Sequence, residues 1–488
     1  MFKKPKCRSE TTKRVYKSAF SGINRSSARE TGALSELLGG MPSRDGTLRP
    51  LPSWQSVYEY PAAFYPQSIS CCEKNIVTFG RVLEMSGDKL EQTDKINFII
   101  RTPSGQTRTG GELTYRSDGD ESRIPSDYNF PRSIVQYNVY SSGGSLYDAV
   151  GGRYDRRILV FPDRVYFDAD AQDGFEIKKL DKATPALNYA AVHAARLFGC
   201  DDTRIYASAY NDPADWDVDT AEDIGASNAW VCPTGSDSRA GGALTAICSC
   251  SGGIVAFKED SGYIISGTRN PFSMRSSSSM GALDFRCAVR VGDNICFACR
   301  EGVGIFNGTS VKRIDAPLAL DGISSAVCAG CGDFFYMLTG GTIYVYDTVR
   351  GIWGSLTPPD YGQTVDMAGA PDGLYCLCSK NKSDSRLFRL AGAAGDWHMQ
   401  TSPLSVDGLD EKRNCTVRLE CELSDGAGVS AFLCGQGEEK IPLFSRTGGG
   451  RQVLSATVRG GARYARSLRC ECTGDAVLRA FEIKTREV

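Results

Sequence analysis

The sequence predicts an all-β chain: a β-propeller with an extended N-terminal arm and a C-terminal β-sandwich. Three observations predict it. Short runs rich in β-branched and aromatic residues alternate with Gly-rich turns along most of the chain. Comparable runs begin at Ile254, Ile295, Phe334 and Leu374, in steps of 41, 39 and 40 residues. A repeat near forty residues with several strands per unit is the mark of four-stranded propeller blades. The rhythm stops after Trp397, and residues 415–488 then read as alternating strands separated by glycine clusters, as in a small antiparallel sandwich.

In chain order, residues 1–55 are expected to form an arm. Residues 1–17 hold seven Lys or Arg against one acid, Glu10. Leu34, Leu37 and Leu38, at i, i+3, i+4 spacing with Gly39 as a stop, predict a short helix. Pro42, Pro50 and Pro52 make Met41–Trp54 an irregular connection. An arm with anchoring aromatics and little core of its own is expected to pack on another domain or another subunit.

The propeller is expected over 56–400, with six to eight blades. Asn75–Met85 is a hairpin candidate and Ile96–Ile100 a strand, while residues 102–132 read as a long polar surface loop. Arg157–Phe161 and Arg164–Phe167 flank a Pro162-Asp163 turn. The most regular stretch runs from Arg196 to Gly267, two hairpins with turns at Cys200–Thr203 and Lys258–Gly262. Ile254–Phe257 and Tyr263–Ile265 are continuously apolar, as strands buried on both faces are. The sandwich is expected over 401–488, with strands Cys415–Leu423, Val429–Cys434, Gln452–Val458, Ser467–Cys472 and Ala476–Ile483.

Composition narrows the function classes. The formal net charge is −2, so no global field argues for nucleic acid. No apolar run reaches the roughly 18 residues of a membrane helix, and the basic start lacks the apolar segment of a secretory signal. Folding in a cytoplasm, without membrane insertion, is the expectation. The 19 cysteines include i,i+2 pairs in strand-like runs (Cys248 and Cys250, Cys376 and Cys378, Cys470 and Cys472), which predicts reduced, buried packing residues.

No enzyme can be assembled from the residues. His193 and His398 are the only histidines and stand far apart. Cys296/Cys299 and Cys328/Cys331 resemble zinc pairs, but 28 residues separate them and the first pair lies in a strand-like run; the second suits a turn. Buried thiols are the plainer reading. The acidic run Asp215–Glu222 imitates a calcium loop, yet Thr220 replaces the sharp-turn glycine and Ala226 the bidentate Glu. A solvated acidic loop is expected there. Phosphate loops, dinucleotide fingerprints and nucleophile elbows are absent, so no catalytic residue, metal or cofactor is expected.

The most suggestive feature outside packing is an arginine stripe, Arg446, Arg451, Arg459, Arg463, Arg466 and Arg469, with no acid within the segment. Arginine's planar fork suits subunit interfaces and phosphate backbones. The alternative is an ordinary solvent face of the sandwich.

A resemblance enters at Arg196–Gly199, Arg204–Tyr206, Ser208, Asp212-Pro213, Asp215-Trp216 and Lys258–Ser261. With Glu301–Gly308, Phe20–Asn24, Gly46–Arg49 and the Arg-rich C-terminal strand pair, this text resembles a family of bacteriophage tail and neck β-propeller proteins: tail hubs, nozzles and packaged-DNA stabilisation proteins. The resemblance implies a structural virion protein, assembled in the bacterial host cytoplasm as a six-fold homo-oligomeric ring. Its implied partners are the portal, an adaptor or other tail proteins, and packaged DNA that passes the exit channel without sequence readout. On this reading the arm and the sandwich make the inter-subunit contacts. The alternative is a propeller module that binds a host-surface glycan or protein through Trp216, Trp230, Trp353 and Tyr361 in exposed loops.

Overall fold

The structure, a computed structural model, describes residues 12–26, 33–114, 131–140, 154–169, 175–180, 183–218, 228–234, 242–403, 413–435, 440–458 and 467–487. Among these residues the chain is built from strands, with no α-helix.

Seven units, blades I to VII in chain order, make up the propeller, each of four strands except blade I, which has five. Six are separate sheets; blade VI shares its outer strand with a larger sheet. The innermost strands are neighbours in a closed order: Phe64–Cys72, Ser133–Tyr140, Tyr189–His193, Ala246–Cys250, Ala288–Val291, Val327–Cys331, Gln363–Ala370, and back to Phe64–Cys72. The runs at Ile254, Ile295, Phe334 and Leu374 are the second strands of blades IV to VII. Turn chemistry repeats with them. Asn307 Oδ1 accepts from the amides of Thr309 and Ser310 (3.0 and 2.8 Å), and Asp347 Oδ1 does the same for Val349 and Arg350 (3.0 and 2.9 Å). Both side chains cap the turn between third and fourth strands by mimicking a backbone acceptor.

The ring is closed by the N-terminus. Pro52–Glu59 is the outermost strand of blade VII, antiparallel to Asp384–Ala394, and the Trp54 indole N–H donates to the Thr357 carbonyl (2.8 Å). The propeller thus comprises Pro52–Glu59 and Phe64–Ala394, and its closure depends on a strand whose first three residues the sequence reading assigned to an irregular connection.

The arm also differs from expectation. Leu34–Leu38 is a strand between Trp397–Thr401 and blade VI. A bulge between Leu34 and Glu36 resets the alternation, so Leu34 and Leu37 both face the core, and this i,i+3 spacing imitates a helix. Thr12–Lys17 pairs with Ala476–Glu487. The arm's strands are therefore used within the chain. Ile23 N–H donates to the Trp353 carbonyl (2.7 Å), and a Cβ on Gly22, at φ +77°, would lie 2.3 Å from that oxygen. Only glycine permits both the left-handed backbone and the approach.

The sandwich recruits this arm. One layer runs Lys440–Thr447, Gly428–Cys434, Ser467–Thr473, Trp397–Thr401, Leu34–Leu38; the other runs Ala476–Glu487, Arg413–Leu423, Gly450–Val458. Cys415, Val417, Leu419, Cys421 and Leu423 alternate inward with period two. They share one apolar cluster with Trp353, Trp397 and the blade IV–VI interiors, which fuses sandwich and propeller. All eighteen described cysteines are free thiols, and fifteen of them are buried. Cys328 and Cys331 lie in the strand Val327–Cys331, not in a turn, and among the described residues no group of three or more metal-ligating side chains converges.

Candidate functional site

The residues that suggested the family are blade fasteners. Arg196 is wholly buried; its Nη1 donates to the carbonyls of Ser208 (2.6 Å) and Asn228 (2.8 Å), and its guanidinium lies over Phe272 at 5.4 Å. Ser208 Oγ accepts from Leu197 N–H (3.0 Å). Tyr206 O–H donates to Asp201 (2.7 Å), whose other oxygen accepts from the Thr203 and Arg204 amides. Trp216 Nε1 donates to the Pro213 carbonyl (3.0 Å), closing the Asp-Pro-x-Asp-Trp segment on itself. Lys258 is buried with its ammonium 5.8 Å from the Tyr263 ring, while its backbone N–H closes the turn on Ser261 (2.8 Å).

The arginine stripe is divided. Arg459, Arg463 and Arg466 lie outside the described residues. Arg446 is exposed near the end of Lys440–Thr447. Arg451 donates to Glu420 (Nε 2.9 Å, Nη2 2.5 Å), a diagonal neighbour on the adjacent strand. Arg469 bonds Glu36 (3.1 Å), Gln400 (3.2 Å) and Glu471 (2.9 Å). Glu420 and Glu36 come from other strands and Glu471 lies just past the run, which is why Arg451 and Arg469, in a run without acids, are charge-balanced in space. His398 Nε2 lies 2.8 Å from Glu36. That hydrogen bond, with the charges of His398, Arg469 and Arg25, holds the Glu36 carboxyl below its usual range. His193 sits apart in blade III, its basicity lowered by burial and by Arg290.

The aromatics proposed as a glycan platform belong to the interior. Trp353, Tyr361 and Trp216 are buried, and Trp230 packs edge-on to Phe272 at 5.3 Å. The polar atoms of the three buried ones are satisfied internally: Trp353 Nε1 donates to the Ile314 carbonyl (2.7 Å), Trp216 Nε1 to Pro213, and the Tyr361 hydroxyl bonds Asp384.

The described residues enclose, among others, two recesses. The centre of the ring holds about 460 Å³, bounded by three successive residues from each of the seven innermost strands. Arg290 is the one charged side chain on that wall, and it donates to the Gly292 carbonyl (2.8 Å). At the wall the strands nearly touch: a Cβ on Gly369 would lie 1.9 Å from the Gly330 carbonyl. The larger recess, about 1070 Å³, opens where the innermost strands of blades VI, VII and I begin. Arg286 forms part of its floor, donating to Asp284 (2.9 Å) and to the Val365 carbonyl (3.3 Å). Behind it, Asp366 is buried and accepts from Ile69 and Met367 amides (2.9 Å each), linking blade VII to blade I. Burial pushes its carboxyl up to about 6, against the charge of Arg286 and the two amides. Nothing in the sequence pattern marks this cleft, because its walls come from loops of four blades.

No family model and no curated protein matches the chain. Among solved structures it is similar to PorZ, an essential bacterial surface component of the type-IX secretion system of Porphyromonas gingivalis, with 13% identity over 82% of this chain and a TM-score of 0.39. The chain spans 46% of PorZ's length. It is also similar to the Neurospora crassa Pan2 WD40 domain (10% identity, 69% of this chain and 95% of that one, TM-score 0.37). A third similarity is to virginiamycin B lyase from Staphylococcus aureus (8% identity, 59% and 96%, TM-score 0.31). At these values the likenesses indicate no activity or partner for this chain.

Proposed function

We propose that the protein is a structural component of a phage tail or neck, a rigid block that assembles into a ring around the path of packaged DNA. The observation that carries this reading is the fusion of arm, propeller and sandwich through one apolar cluster. A block tied together from both chain ends transmits load without hinging. The resemblance supports the same role, since its motif residues serve as internal fasteners.

DNA would pass through the opening of the assembled ring, because the propeller's own centre is a recess of about 460 Å³ walled by close-set strands. Ring contacts fall to surfaces other than the described arm, whose strands are engaged within the chain. Electron microscopy of the purified protein and of particles from infected cells tests the reading. Ring-shaped oligomers and incorporation into tailed particles are expected; a strictly monomeric protein absent from particles would overturn it.

A further inference from the structure

The cleft of about 1070 Å³ is a preformed recess with no part in the assembly role. Its outer wall, Thr357–Asp360, is stiffened by Pro358 and Pro359, by Trp54 bonding the Thr357 carbonyl, and by the Tyr361 amide donating to the Pro359 carbonyl (2.8 Å). Tyr361 itself is clamped from behind by Lys380 (4.3 Å) and Arg386 (4.6 Å) over its ring, and its hydroxyl bonds Asp384. Such a wall needs little ordering when a ligand arrives, which favours binding.

The lining selects against charge. The floor guanidinium, Arg286, is already engaged by Asp284 and a carbonyl, and Asp360 at the rim supplies an opposing carboxylate. What remains is uncharged: the Gln363 amide, which both donates and accepts, the hydroxyl oxygen of Thr339, which can accept while its proton goes to the Ser325 carbonyl (2.9 Å), and the hydroxyl of Thr364, which also lies 3.5 Å from Cys376 Sγ. Among them stand the half-buried ring of Tyr65 and the apolar surfaces of Leu338 and Pro358. Alternating hydroxyls and C–H faces are what such a mixed surface matches, and a few placed polar groups on an apolar wall are the usual form of a small-molecule site.

We propose that this cleft binds a neutral oligosaccharide, with Tyr65 as the ring against which a sugar face packs and Gln363, Thr364 and Thr339 as its hydrogen-bonding partners. The site is independent of ring assembly, so each can fail without the other. Isothermal titration calorimetry on the full chain tests it, with maltotetraose, cellotetraose and chitotetraose as neutral probes. A heparin-derived tetrasaccharide and a proline-rich decapeptide serve as competing classes. At least one neutral probe is expected to bind with Kd below about 1 mM, and Tyr65→Ala and Gln363→Ala each to weaken it about tenfold or more at unchanged Tm. Arg451→Ala, in the sandwich, is expected to leave binding unchanged. The proposal is overturned if no neutral probe gives heat up to about 10 mM, if binding survives both cleft substitutions, or if only the acidic saccharide or the peptide binds.

Discussion

In blade III, Arg196 is fully buried and spends its guanidinium on two carbonyls and an aromatic face. In the sandwich, the Arg451 side chain is 65% exposed and meets Glu420 at the surface. Both arginines attracted attention in sequence, one within a motif and one within a stripe. Their surroundings make them opposite kinds of residue. Removing a buried donor leaves desolvated acceptors behind, whereas an exposed ion pair exchanges one solvated arrangement for another.

The contrast extends to whole regions. The blades are hairpins between sequence neighbours, while the sandwich and blade VII are completed by strands hundreds of residues distant. Deleting residues 1–59 takes away the outer strand of blade VII and the arm strands of the sandwich together, so the largest effect is expected there. Circular dichroism and thermal melts should show loss of the cooperative transition. If the truncated chain melts like the full one, the fusion of the two regions is not what holds them.

Arg196→Ala is expected to destabilise by about 4 kcal/mol in denaturant unfolding, from two stranded carbonyls and a cavity beside Phe272. Gly22→Ala should cost about 3 kcal/mol, because the new methyl meets the Trp353 carbonyl and the backbone is left-handed there. A similar change in the surface turn at Gly426, where a Cβ would meet nothing within 4 Å, isolates the conformational part of that cost.

Asp366 gives a pH signature. Its carboxyl is held near 6 in the fold against an ordinary value of 3.8, so the folded state binds the extra proton between those values. Its contribution is therefore most favourable below about pH 4 and is lost as pH rises through 6, by about 3 kcal/mol in all. The unfolding free energy of the wild type, relative to Asp366→Asn, should fall between pH 4 and pH 7. A flat difference would mean that the seam between blades VII and I does not titrate. Arg451→Ala should change stability by about 0.5 kcal/mol or less, and that small effect should fade in high salt; a loss near that of Arg196→Ala would erase the distinction between the two arginines.

Much of this fold was legible because its units are local. Blades IV to VII appear at forty-residue steps since each hairpin folds on its neighbour, and capping residues such as Asn307 and Asp347 recur with them. The candidate cleft was not legible: Tyr65, Arg286, Thr339 and Gln363 belong to separate blades, and no spacing links them. The helix expected at Leu34–Leu38 shows the limit of periodicity, since one bulged residue in a strand puts i and i+3 on the same face.

By itself, then, the sequence determined the all-β class, the blade rhythm, the break in that rhythm before the C-terminal strands and the burial of the cysteines. These follow from alternation and turn chemistry, which act between residues a few positions apart. Only the tertiary structure decided the count of seven, the strand that closes the ring, the acids that balance the arginines and the walls of the cleft. Each depends on which distant segments meet, and that is governed by the summed burial and pairing of the whole chain.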